Sequence, residues 1–238
     1  HEEMQLAYER MRKTRRDSLS DCKACVQNCT AEHYVLLGKP KFALRAADPI
    51  ISGRMSCSEI PELTYGTILR PLFQLDRLDD AMAMYVKGYK LVAKNPEFID
   101  TVAEHMQFLV MTDNDSKALQ LISKHLPVAL ATPSLLKRMK FIFATVQAFL
   151  SFESKRKDSV KLRLPPKTPF TRADGVYPVD ELRQEFAAAA RELATAFDAR
   201  NGNSYYADYL VKLPESLAHI KPFPVPTQKR KSTENDEE

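Results

Sequence analysis

The sequence predicts an all-α fold, a curved solenoid of antiparallel helix hairpins with a proline-rich insertion and capping helices towards its C-terminal end. Three observations carry that prediction. Six glycines against eight methionines and 15 prolines in 238 residues favour helices broken by rigid corners. A turn followed by an alanine recurs, at Ala43 in LLGKPKFALRAA, Ala81 in FQLDRLDDAMAMY and Ala118 in VMTDNDSKALQLI. The spacings of 38 and 37 residues are the size of two helices and two turns. Before these turns the apolar residues step helically, as Tyr65, Ile68, Leu69 and Leu72 and then Val102, Met106 and Leu109.

In chain order, residues 1–213 read as one helical domain. Residues 1–20 contain the second helix of a truncated preceding repeat, with Leu6, Ala7 and Met11 on one side. Three units follow, at 21–60, 61–98 and 99–132. In the second, Ala81, Tyr85 and Tyr89 form the buried side of its later helix, and the small alanine lets two helix backbones approach. Pro71 removes the hydrogen bond to Thr67 and predicts a kink there. Residues 133–213 hold the terminal helices. LLKRMKFIFATVQAFLSFE is the strongest apolar helix, with Ser134 placed to cap its start. Pro165, Pro166, Pro169 and Pro178 make 154–177 an extended surface insertion. The helix that resumes has Asp180 at its start, Asn201-Gly202 at its stop and a stripe of Leu182, Phe186, Ala190, Leu193 and Phe197. A short helix over about 203–213 covers the open end of the stack, and 214–238 reads as a flexible tail.

Composition narrows the function classes. A net charge of +4 neither implies nor excludes nucleic acid. Four cysteines are too few for a disulfide scaffold, and no apolar run approaches the ~20 residues needed to span a bilayer, so the chain is expected to be cytoplasmic with no membrane partner. The first residue, His1, is what a piece cut from a longer chain shows.

Residues 20–126 resemble the tetratricopeptide repeat family as three degenerate units. Tyr34, Gly38, Ala43 and Ile50 match its pattern in the first unit. Tyr65, Ile68, Leu69, Leu72, Ala81, Tyr85 and Gly88 match in the second, and Val102, Met106, Leu109, Ala118 and Ile122 in the third. The family's tryptophan is absent, Asp76 and Asp113 replace the turn glycine, and His105 and His125 occupy positions that are usually small or apolar. The resemblance implies a concave face lined by first helices, with Asn28, Glu32, Arg70, Phe73, Gln107, Val110 and Phe141 as peptide-binding candidates. Arg70 would grip a carboxylate, Asn28 and Gln107 would satisfy peptide amides, and Phe73 would take an apolar anchor. The expected function is a non-catalytic scaffold or regulatory module for a protein or peptide segment, without cofactor. The family's carboxylate clamp is not reproduced.

Two alternatives remain open. Arg10, Arg12, Lys13, Arg15 and Arg16, with the later Lys229, Arg230 and Lys231, offer phosphate contacts to a nucleic acid. Cys22, Cys25, Cys29 and His33 offer metal ligands for a metal-dependent enzyme. On one continuous helix, however, Cys22 and His33 would stand ~16 Å apart. That site needs either a bend before Cys25 or the entry of Cys57. No histidine, serine or acidic pair has spacing that specifies nucleophilic catalysis, and Gly38-Lys39-Pro40 lacks the glycines of a phosphate loop.

Overall fold

Four helical hairpins stacked side by side make up the body of the protein. The structure, a computed structural model, describes residues 2–165, 168 and 170–226. The helices are α1 (Glu2–Lys13), α2 (Lys23–Leu36), α3 (Pro40–Ile51), α4 (Glu62–Gln74), α5 (Leu78–Val92), α6 (Ile99–Met111), α7 (Asp115–Ala131), α8 (Leu135–Ser154), α9 (Val179–Asn201) and α10 (Tyr205–Lys212). A two-stranded antiparallel ribbon, β1 (Ser159–Lys161) with β2 (Val176–Pro178), lies between α8 and α9. The pairs α2/α3, α4/α5, α6/α7 and α8/α9 form hairpins. The first helices α2, α4, α6 and α8 also pack on one another in sequence, while α3, α5 and α7 each pack on the first helix of the next hairpin. The chain is therefore all-α in body and arranged as a helical repeat.

The three alanines occupy one structural position. Ala43, Ala81 and Ala118 are each the fourth residue of their helix and each is fully buried. The turns before them share one geometry. Gly38, Asp76 and Asp113 adopt φ of 64°, 61° and 60°. In each turn the following residue donates back five positions, as Lys39 to Tyr34 O, Arg77 to Leu72 O and Asn114 to Leu109 O at 2.9, 2.9 and 2.8 Å. This left-handed closure satisfies the last carbonyls of the first helix. Aspartate tolerates the conformation better than most residues, which is how a glycine position is filled by Asp76 and Asp113.

The same turn occurs a fourth time, at the end of α8. Arg156 has φ 56° and Lys157 N–H donates to Phe152 O at 3.1 Å. Here the second helix does not follow at once. The chain detours through β1 and β2, burying Val160, Leu162, Leu164 and Tyr177, and returns as α9 to complete the hairpin. The insertion expected over 154–177 is thus the enlarged turn of the fourth hairpin. α8 is buried over most of its circumference, as its continuous apolar sequence requires, and Ser134 caps it by accepting from Lys137 N–H.

The kink expected at Pro71 does not end α4. The helix continues to Gln74 because the bond lost at the proline is followed by an ordinary one, Leu75 N–H to Pro71 O at 3.1 Å. α9 stops at Asn201 as the sequence predicts, with Gly202 at φ 67°. The buried Asp198 then accepts from Tyr206 and Ala207 N–H at 3.0 and 2.9 Å, capping α10. α1 buries none of its residues, with Leu6 and Met11 exposed, and meets α2 through Tyr8, whose ring stacks on His33 at 3.8 Å.

Candidate functional site

The layer of first helices is covered by the protein's own C-terminal segment. Tyr209 of α10 stacks on Phe143 of α8 at 5.5 Å and accepts a hydrogen bond from Gln107 of α6 at 3.1 Å. A 3-10 run, Leu213–His219, follows, and its Ser216 accepts from Gln147 of α8 at 2.9 Å. Residues 220–225 then extend across the turn between α6 and α7. Lys221 N–H donates to Met111 O at 2.9 Å, Phe223 N–H to Thr112 O at 3.0 Å, and Val225 N–H to Asn114 Oδ1 at 3.0 Å. Asn114 Nδ2 returns a bond to Phe223 O at 2.8 Å.

The sequence IKPFPVP explains this one-sided attachment. Proline has no N–H, so from Lys221 onward only every second residue can donate, and those three donors, Lys221, Phe223 and Val225, all find acceptors on α6–α7. The outward side, carrying Pro222, Pro224 and Pro226, offers no donors to a further strand. The Lys221 ammonium adds a lateral hold, 2.7 Å from Asp76 Oδ1 and 5.3 Å from the Phe73 ring centre. Of the tail expected over 214–238, residues 214–226 take these positions and 227–238, with Lys229, Arg230 and Lys231, lie outside the described residues.

The peptide-binding candidates fall at different depths. Gln107 and Phe73 touch the C-terminal segment directly. Val110 and Phe141 have no accessible surface and belong to the core. Asn28 is buried, donating to Glu32 Oε1 at 2.8 Å and accepting from Thr64 Oγ1 at 2.7 Å, so it joins α2 to α4. Arg70 is exposed on α4.

Between these residues lies a charged group of which the sequence reading named only Glu32. Glu32, Asp100 and Glu104 act on the Lys140 ammonium, which is 3.5 Å from Asp100 Oδ2. Burial pushes the Glu104 carboxyl up to about 8, helped by Glu32 and Asp100 and opposed by Lys140. Burial works against the charge on Lys140, but Glu104, Asp100 and Glu32 outweigh it and hold the ammonium above its ordinary value. Glu104 fits because Gly66 lies beneath it, where an added Cβ would stand 2.2 Å from Glu104 Oε2. Glu104 and Lys140 come from different helices, and no short-range spacing announces their meeting.

The histidines on helices are packing residues. His105 is fully buried and donates from Nδ1 to Thr101 O at 2.9 Å, and burial takes it down to about 4. His125 Nε2 meets Tyr89 OH at 3.0 Å and burial likewise holds it at about 4. Neither pairs with a carboxylate.

The cysteine candidates divide differently from the expectation. His33 turns to Tyr8 and Gln5, and Cys29 is exposed, so neither joins the others. Cys57 from the loop between α3 and α4 takes their place. The sulfur atoms of Cys22, Cys25 and Cys57 all lie within 4.8 Å of one another, at 3.4 Å for Cys22–Cys25 and 3.5 Å for Cys25–Cys57. Both conditions for convergence are met. The chain bends at Cys22, which caps α2 with its sulfur accepting Cys25 N–H at 3.3 Å, and Cys57 enters from a loop 32 residues away. Hydrogen bonds from Cys25 hold the Cys22 thiol below its ordinary value, while burial pushes Cys25 up to about 12.

No protein-family model matches the chain, and it has no significant match among curated proteins or solved structures. No helix among the described residues is long and apolar enough to cross a membrane. Arg10, Arg12 and Lys13 crowd the exposed last turn of α1, among the described residues the only part of the proposed basic surface with a helical setting.

Proposed function

We propose that this chain is a non-catalytic recognition module of the tetratricopeptide-like kind that takes an extended segment of another protein across its first-helix layer. The single observation supporting this reading is the strip 221–225, whose alternate N–H groups are all received by the α6–α7 turn. A surface that accepts one such segment in cis has the acceptors to take another in trans. The chemistry favours a partner that alternates proline with apolar residues and carries a cation opposite Asp76 and Phe73. The intramolecular segment would then compete with the partner, and its high effective concentration would lower the apparent affinity.

The test is calorimetric titration of a peptide of sequence HIKPFPVP, residues 219–226, into the full chain and into Lys221→Glu. That substitution removes the ion pair with Asp76 and the cation over Phe73. The variant is expected to bind the peptide at least about tenfold more tightly than the wild type, the equivalent of ~1.4 kcal/mol of released competition. The same peptide with its prolines changed to alanine is expected to bind more weakly. Equal, undetectable binding to both proteins, each still fully helical, would remove the reading.

A second reading, a metal-holding protein, is favoured directly by the convergence of Cys22, Cys25 and Cys57. It has firmer geometric support than the choice of partner. The two readings are compatible because the cysteines lie at the first hairpin, away from the strip. The histidine half of that expectation has no such support, since His33 faces Tyr8.

A further inference from the structure

We infer that Cys22, Cys25 and Cys57 hold one zinc-class divalent cation that braces the first hairpin against the start of α4. This rests on the metal-holding reading, which it deepens, and does not depend on the recognition reading.

The sulfur positions already approximate three corners of a coordination tetrahedron. Zinc–sulfur bonds of ~2.3 Å place tetrahedral sulfurs ~3.8 Å apart, and two of the separations here are 3.4 and 3.5 Å. They are far longer than the ~2.05 Å of a disulfide. A disulfide would also leave one of the three sulfurs without a role. The local backbone suits a metal knuckle on both sides. Cys22-x2-Cys25 forms a loop-to-helix step in which Cys25 N–H points at Cys22 Sγ. Cys57 begins a tight turn in which its own N–H donates to Ile60 O at 3.0 Å.

Three thiolates around a divalent cation carry a net charge of −1, and the fourth position is left to a water molecule or an exogenous ligand. That charge is favoured by position, since Cys22 caps the N-terminus of α2, where the helix dipole and free N–H groups are positive. Thiolate-rich donor sets select zinc over magnesium or calcium.

The corner needs such a brace. Ala24, Ile50 and Ile60 form a small apolar cluster of their own, separate from the main core, with Cys25 and Cys57 packed against it. Three buried residues exclude little apolar surface from water. An ion linking α2 to the α3–α4 loop ties that corner together. Loading converts three thiols and the free cation into the complex and three released protons.

The experiment uses the reduced full chain. Elemental analysis after exhaustive dialysis is expected to find one zinc per chain. Replacement by cobalt is expected to give thiolate-to-metal charge transfer of three-thiolate intensity with the ligand-field bands of a tetrahedral site. Cys57→Ser is expected to lower that intensity by about one third and the zinc affinity by more than ~100-fold, beyond what loss of an outer hydrogen-bond partner costs. Cys29→Ser is expected to change neither. Folded, reduced wild type that retains no zinc would overturn the inference, a result that requires no variant to fold. So would a Cys29→Ser loss equal to that of Cys57→Ser, or a chain that closes two of the three cysteines into a disulfide in preference to loading.

Discussion

Replacing Gly88 with alanine isolates the close approach of α4 and α5. A Cβ at Gly88 would stand 2.5 Å from Tyr65 Cβ and 2.8 Å from His105 Nε2. Carbon atoms pack favourably at ~3.5–4.0 Å, so the two helices would have to part by roughly 1 Å. Side-chain rotation offers no escape. Tyr65 Cβ is fixed by the α4 backbone, and the His105 ring is held by its Nδ1 bond to Thr101 O. Overpacking of this kind costs ~1–3 kcal/mol, and contact with a backbone-fixed atom places Gly88 at the upper end. Alanine returns ~1 kcal/mol of helix propensity, which leaves a net loss of about 2 kcal/mol. For a chain of this size that lowers Tm by about 4–8 °C. Denaturant unfolding followed by helix circular dichroism reads the change, with an unaltered m-value confirming that the native fold is kept. A Gly88→Ala protein as stable as the wild type, or stabilised by the propensity gain, would refute the claim that this glycine serves the helix crossing.

The repeated turns give a paired prediction: Arg156→Gly is expected to stabilise by up to ~1 kcal/mol and Gly38→Ala to destabilise by ~1 kcal/mol, because each changes the fit of a positive φ without a close neighbour at Gly38. Urea midpoints check both, and changes of the opposite sign would contradict the shared turn geometry. Stability is expected to fall as pH rises from 6.5 to 8. In that window unfolded Glu104 has lost its proton while the folded carboxyl, pushed up to about 8 by burial, still holds it. The slope is at most ~1.4 kcal/mol per pH unit, and Glu104→Gln is expected to flatten it. His105 and His125, held at about 4, contribute in the opposite direction, losing stability as pH falls below 6.5, so they leave this window clear.

Much of the helical framework was legible because it is local. Ala43, Ala81 and Ala118 sit where a turn and one helical step place them, and such spacing survives in the sequence whatever the distant partners are. The fourth turn was hidden only because its second helix is deferred beyond the β ribbon, so Arg156 had no alanine at the expected interval to mark it. Cys57 was legible as a conditional partner and no more, since loop closure over 32 residues decides whether it meets Cys25. The attachment of the strip was not legible. Its alternating prolines leave a regular set of donors on one side, and those donors need acceptors that only the folded α6–α7 turn supplies. Glu104 and Lys140 were illegible for the same reason, their meeting being a product of stacking.

The hold of Lys221 on Asp76 spans 145 residues, and this sets an order of events during synthesis. Helical hairpins are local and can close as the chain emerges, whereas a contact over such a separation must wait for nearly everything between its ends. The middle units therefore pass through an interval in which their turns are formed but unlatched. A nascent chain paused shortly after α10 would present that surface openly, and the emergence of residues 220–225 would close it.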